Sequence, residues 1–255
     1  MRLRAEVATR EQLLDALDDP RLELIYAPSE LVGRSLTAEA DRIAVVPPIY
    51  LADCEERVFE RLSALREIGF SSALAHTVGH IELLKRAGFS ILGGARLNCL
   101  NSETLSFLEG WGLRDTIVSA ELSLKRLETL KKPIPIGFLA YGHLPLMVTR
   151  RCPIRDGAPC TDRRNCGRFV TDRKGRRIRA ICSKNSVELL NPDVLDLGDR
   201  LDRFKNADFA VLKFTEETEI EPIVSAYLAG QRTGREPFTR GLYFRAGEQS
   251  GRETG

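Results

Sequence analysis

The chain has 255 residues, of which 43% are hydrophobic and 29% charged, with a formal net charge of +2. That length and apolar content suit one large domain with its own core and exclude a disordered chain. The small net charge excludes a polycation. No apolar run approaches the roughly 20 residues that a membrane-spanning helix needs. The opening MRLRAEVATREQ has no apolar signal core. The expected location is therefore the cytoplasm, where six cysteines read better as metal ligands or redox groups than as a disulfide framework.

Up to Met147 the chain alternates short apolar runs with amphipathic ones. Strands are expected over Leu3–Val7, Leu22–Ala27, Arg42–Val46, Ala73–Thr77, Ser90–Leu92, Thr116–Ser119 and Ile134–Ala140. Between them fall helices. One follows the cap Thr9, with Leu13, Leu14 and Leu17 on one face; another runs from Asp53 to Ile68 and stops at Gly69. Further helices cover Ile81–Ala87, stopped at Gly88, then Ser102–Glu109 with Ser102 as cap, and Ser123–Leu130. Beyond the midpoint, Val187–Leu190 is a short apolar segment and Leu195–Phe204 reads as a helix. Phe209–Phe214 reads as a late strand and Glu219–Leu228 as a final helix.

A strand–helix beat this short implies βα units and a mainly parallel sheet. Seven strands, with no G-x-G-x-x-G after the first, favour a closed or nearly closed TIM-barrel-like α/β fold over an open dinucleotide-binding sheet. The expected organisation is barrel βα units over 1–149, a Cys-rich basic insertion over 150–186, final barrel elements over 187–246 and a disordered tail over 247–255. In such barrels the functional residues gather at the C-terminal ends of the strands. Here those ends read Ala27-Pro28-Ser29, Pro47-Pro48, His76-Thr77, Asn98, Glu121 and Tyr141-Gly142-His143.

From Arg150 to Lys184 the pattern breaks. Twelve Arg and Lys stand against three Asp, and four cysteines occur at the spacing C-x7-C-x5-C-x15-C. Cys152, Cys160, Cys166 and Cys182 can converge on one centre, and four thiolates suit either tetrahedral zinc or a cubane iron–sulfur cluster. The segment is too charged to form its own core, so a bound centre would give it order. The lack of a C-x2-C pair mildly favours iron–sulfur over zinc. Four unligated thiols are the alternative, although thiols beside Arg would be reactive. The Arg and Lys residues either offset thiolate charge or meet a phosphate backbone. Cys54 and Cys99 lie in barrel elements and read as core residues.

His143 at a strand end is a candidate general acid or base, and Glu121 a candidate catalytic carboxylate. A locally bonded histidine and a helix-start charge are the alternatives. His76 and His80 are four apart but flank Gly79, which makes a weak metal pair. No G-x-S-x-G, H-E-x-x-H or P-loop occurs.

Several stretches together carry a resemblance: ARLNCLNSETLSFLEGWG, VSAELSLKRLETL, AYGHLPLMVTRRCPI, CGRFVTDRKGRRIRAIC and FTRGLYFRAG. In this order and spacing they resemble the collagenase-like peptidases, the thirty-second family of unassigned mechanism. They are most similar to the carboxy-terminal barrel copy of its long members. The resemblance implies a TIM-barrel-like fold and a 4Fe-4S cubane on four cysteines, Cys152 matching the first. It further implies oxygen-independent hydroxylation of RNA bases or of a ubiquinone-type precursor, with an RNA or a small aromatic substrate and a second barrel or partner subunit. Proteolysis is the activity in the family's name. His143 stands where the family's usual Arg follows the strand-end glycine, and the signatures of proteolytic members are absent. A non-catalytic barrel with a structural zinc site that binds a partner is the remaining alternative.

Overall fold

A computed structural model describes residues 1–49, 54–154, 169–182 and 186–244. Seven parallel strands come first: β1 (Arg2–Glu6), β2 (Leu22–Pro28), β3 (Ile43–Val46), β4 (Ser72–Ala75), β5 (Ser90–Gly93), β6 (Leu113–Ile117) and β7 (Ile136–Thr149). Next come three strands of an antiparallel ribbon, β8 (Phe169–Thr171), β9 (Arg177–Cys182) and β10 (Val187–Asp196). β11 (Phe209–Lys213) then closes a barrel by pairing in parallel with both β1 and β7, and the short β12 (Phe238–Thr239) pairs with β10. Eight parallel strands thus form a closed barrel, and the ribbon continues the sheet outward from β7 in the order β7-β10-β9-β8. The anticipated TIM-barrel-like fold is what the chain adopts.

The helices are α1 (Arg10–Asp18), α2 (Glu55–Glu67), α3 (Val78–Arg86), α4 (Ser102–Gly110), α5 (Leu124–Thr129) and α6 (Glu221–Leu228). Local chemistry sets their ends. Thr9 and Gln12 form a reciprocal capping box on α1, satisfying two otherwise orphan N–H groups. Thr77 accepts the His80 N–H at the start of α3. Asn101, not Ser102, caps α4: its extended backbone lets the side-chain oxygen reach the Thr104 N–H, while the Ser102 hydroxyl accepts from the Lys131 N–H. Gly112, at φ +83, ends that turn and lets β6 begin at Leu113, earlier than the expected Thr116. The expected start of α2 at Asp53 lies outside the described residues; Cys54 occupies the cap position.

The helix anticipated over Leu195–Phe204 is instead the end of β10 followed by a 3-10 turn, Gly198–Arg203. Two interactions decide this. Leu195 and Asp196 are held in the ladder opposite Gly142 and Tyr141. The buried Asp196 carboxylate then accepts hydrogen bonds from the Gly198 N–H, the Tyr227 hydroxyl and both the N–H and hydroxyl of Thr233. Satisfying a buried carboxylate outweighs a weak helical pattern. Between β2 and β3 a 3-10 stretch, Arg34–Arg42, replaces a regular helix.

The lower barrel is plugged by a polar group. Arg4 lies 3.6 Å from the Phe209 ring centroid and donates to Tyr26 at 2.9 Å and to Asp115 at 2.8 Å. Gly137 makes room for this layer, since a Cβ there would stand 2.1 Å from the Phe209 ring. Outside the barrel wall Phe138 stacks on Phe204 with ring centroids 3.8 Å apart. Tyr243 lies edge-on to both rings, a favoured aromatic geometry.

Candidate functional site

Above the plug, charged side chains from four parts of the chain meet at the C-terminal mouth of the barrel. Glu6 ends β1 and Lys213 ends β11. The two are in register, with Nζ 3.3 Å from Glu6 Oε1. Glu188, on β10, reaches in from the ribbon: its Oε1 lies 3.7 Å from Lys213 Nζ and accepts a hydrogen bond from Arg96 Nη2. Arg96 stands on a 3-10 turn, Ala95–Leu97, immediately after β5. One carboxylate oxygen therefore bridges cations from two walls of the mouth.

His76 completes the group. It follows β4 and packs against Gly94, where a Cβ would stand 2.4 Å from its Nδ1. The residue is 5% exposed, and Nδ1 has no hydrogen-bond partner among the described residues. Burial, reinforced by Lys213 and Arg96, holds its pKa well below the ordinary value, so the imidazole is neutral. Behind it, the buried His80 accepts the His76 backbone N–H on Nδ1 at 3.2 Å, and burial lowers its pKa to about 4. Burial works against the Lys213 ammonium, but Glu6 and Glu188 outweigh it and raise its pKa. Lys213 is thus a cation and not a free amine nucleophile. The mouth offers two fixed cations for an anion, two carboxylates and a neutral imidazole.

Beside this group, Asn98 sits in the left-handed region at φ 53 and accepts a hydrogen bond from the Ser119 hydroxyl at 2.5 Å. Glu121, one of the two residues singled out for catalysis, is exposed, and its backbone N–H donates to Ser119 Oγ. The other, His143, is partly exposed on the outward run of β7, with Nδ1 2.7 Å from the Asn191 carbonyl. No hydrogen bond among the described residues joins either to the Glu6–His76–Arg96–Glu188–Lys213 group.

Two of the four anticipated ligands, Cys160 and Cys166, lie outside the described residues. The other two lie on one part of the ribbon. Val187 pairs with Thr149 on one side and with Cys182 on the other. Cys152 and Cys182 both pack on the small cluster Ala180, Val187 and Leu189. Among the described residues no group of three or more His, Cys, Asp or Glu is arranged to hold a metal. Cys54 and Cys99 are buried in the barrel core, and burial pushes the Cys99 thiol up to about 11. Reading strand ends in the sequence finds His76 but misses Glu6, Arg96, Glu188 and Lys213. The available signal is a charge closing an apolar strand, as in FAVLK over β11.

A closed parallel barrel with its polar group at the C-terminal mouth defines the class, a TIM-barrel-like α/β protein. Within that class, the model of the family described as "Peptidase family U32" matches residues 36–214, and the chain belongs to that family. Among solved structures the chain is similar to one titled "Native KDPGal structure". The two are 12% identical at a TM-score of 0.50, over 90% of this chain and 94% of that one, a likeness of fold alone. No helix among the described residues is long and apolar enough to cross a membrane.

Proposed function

We propose that this family U32 barrel carries an iron–sulfur centre on Cys152, Cys160, Cys166 and Cys182 and serves oxygen-independent hydroxylation of an aromatic ring, that of an RNA base or of a ubiquinone-type precursor. The observation that carries this reading is Glu188. It lies on β10 next to Val187, which sits between Thr149 and Cys182, yet its carboxylate bonds Arg96 and approaches Lys213 inside the barrel mouth. The cysteine-bearing ribbon is thereby tied to the substrate end of the barrel.

The donor set fits such a centre. Thiolates are soft ligands, and Cys152 and Cys182 share one small apolar cluster in a segment otherwise dominated by charge. When bound, the centre would supply single-electron chemistry beside the mouth. The chain's own residues do the rest. Arg96 and Lys213 orient an anionic group of the substrate, and neutral His76 offers a hydrogen-bonding ring nitrogen. Arg176 and Arg177, on the ribbon, are basic groups suited to phosphate if the substrate is RNA.

Anaerobic purification tests this reading. The expected protein is brown, with iron and sulfide bound to each chain, and, given a hydroxylated organic donor that is reduced by two electrons as the ring is oxidised, adds one oxygen atom to its substrate by mass. Colourless protein with zinc and no iron would replace the redox centre by a structural one. Cys166→Ala is expected to lose the centre, and full metal content in that variant would remove Cys166 from the ligand set. Gelatin cleavage, absent from a matched inactive variant, would restore proteolysis; none is expected.

A further inference from the structure

We propose that Arg96, Lys213 and His76 form a subsite for a carboxylate of the substrate, and that the Glu188 carboxylate occupies this subsite until the substrate arrives. The inference rests on the reading of the barrel mouth as the substrate site and deepens it.

Three observations support it. First, Arg96 donates to Glu188 Oε1 and Lys213 Nζ lies 3.7 Å from that same oxygen, although the cations stand on different walls of the barrel. A carboxylate is already the group that these cations hold, and it comes from a strand outside the barrel ring. Second, the charges balance as they stand. Lys213 is also held by Glu6, with Nζ 3.3 Å from its carboxylate. The departure of Glu188 would therefore leave one uncompensated cation in a poorly solvated mouth. Only a monoanion restores the balance. A planar carboxylate does so with the occupant's own geometry, whereas a phosphate dianion leaves excess negative charge between Glu6 and its neighbours. Third, the buried His76 Nδ1 has no partner among the described residues. An unpaired buried nitrogen has a cost that a hydrogen bond to a ligand carboxylate oxygen would relieve.

Exchange of one carboxylate for another gives the site a signature that ordinary structural charges lack: removal of the resident should tighten binding. The probe is benzoate, with benzamide as its neutral isostere and inorganic phosphate as the competing oxyanion. The readout is the imidazole nitrogen resonance of His76 in histidine-labelled protein. Only three histidines occur, and His143→Gln and His80→Gln assign the spectrum. The expected result is a saturable His76 shift with benzoate and none with benzamide. Glu188→Gln should bind benzoate about tenfold more tightly and Arg96→Gln about tenfold more weakly, the scale of one charge-assisted hydrogen bond. Arg96→Lys, which keeps the charge but not the fork, should fall between parent and Arg96→Gln. Weaker benzoate binding by Glu188→Gln, an equal shift with benzamide, or phosphate binding as tight as benzoate would each overturn the proposal. The titration needs no turnover. Iron-free protein that binds benzoate would therefore end the redox reading and keep the subsite, while brown protein indifferent to benzoate would do the reverse.

Discussion

The barrel and the ribbon are built from one continuous sheet but stabilised in opposite ways. The barrel wall is backed by a single large apolar cluster running from Leu3 to Tyr243, with several aromatic rings fully enclosed. Among the described residues the ribbon's own cluster has three buried members, Ala180, Val187 and Leu189, and two of the residues packed on it are cysteines. Among the described residues, its ties to the barrel include the charged contacts of Glu188 with Arg96 and Lys213, the pair Arg179 to Glu216, the shared strand β7, and Val194 and Leu195 at the barrel end of β10, which join the large cluster. The outer part of the ribbon, β8, β9 and the start of β10, has so little apolar burial among the described residues that packing alone cannot offset the entropy of ordering its chain. The difference teaches that the barrel holds itself together, whereas the ribbon depends on partners at both ends.

Substitutions can break this comparison or sharpen it. The largest effect is expected in the barrel, where Phe138 is fully buried and stacked on Phe204. Phe138→Ala should cost about 3–5 kcal/mol in denaturant unfolding. A loss under about 1 kcal/mol would mean that the outer aromatic layer is not part of the cooperative core. Acid should come next. The folded-state pKa of His80, about 4, lies below its ordinary 6.5, so the unfolded chain takes up this proton first. The contribution is intact above pH 6.5 and falls away as pH drops toward 4. It amounts to about 3 kcal/mol. His76 shifts in the same direction. His80→Gln should flatten that part of the pH–stability curve; an unchanged curve would refute the assignment.

The ribbon should respond differently. Cys182→Ser is expected to raise hydrogen exchange across β8 and β9 and to abolish bound metal. It should move the barrel's unfolding free energy by less than about 1 kcal/mol, because opening there is local. Loss of the whole fold in this variant would erase the distinction between the two regions. The smallest effect belongs to the barrel's surface. Arg86 and Glu55 pair at 3.5 Å with both side chains largely in solvent. Exposed pairs of this kind contribute little, and Glu55→Gln should change stability by about 0.5 kcal/mol at most. A larger loss on thermal or denaturant unfolding would place this pair in the cooperative core after all.

The barrel is legible in the sequence because parallel strands are covered on both faces and read as apolar runs, as IAVV and SALA do in β3 and β4. Positions 195–204 mislead because Leu197, Leu201 and Phe204 are spaced as one helical face, whereas the ladder to β7 and the bonds to Asp196 are long-range and leave no local mark. The mouth is legible only in part. His76 announces itself at a strand end. Glu6, Arg96, Glu188 and Lys213 look like ordinary charges in sequence and become one group only when β11 lies beside β1 and β10 crosses the opening. The cysteines stand out by type and clustering, and the fold adds that two of them share one end of the ribbon.

The closing strand has a consequence for synthesis. Among the described elements β11 is the one barrel strand encoded after the ribbon, and it must pair with both β1 and β7 before the ring is complete. As the chain leaves the ribosome, every cysteine has therefore been made before the wall can shut. Lys213, the last residue of that strand, arrives later still. Joining the two ends of the barrel spans most of the chain, the kind of contact that forms late and slowly. The order of translation thus leaves an interval in which the thiols are present and the mouth still lacks one of its two cations.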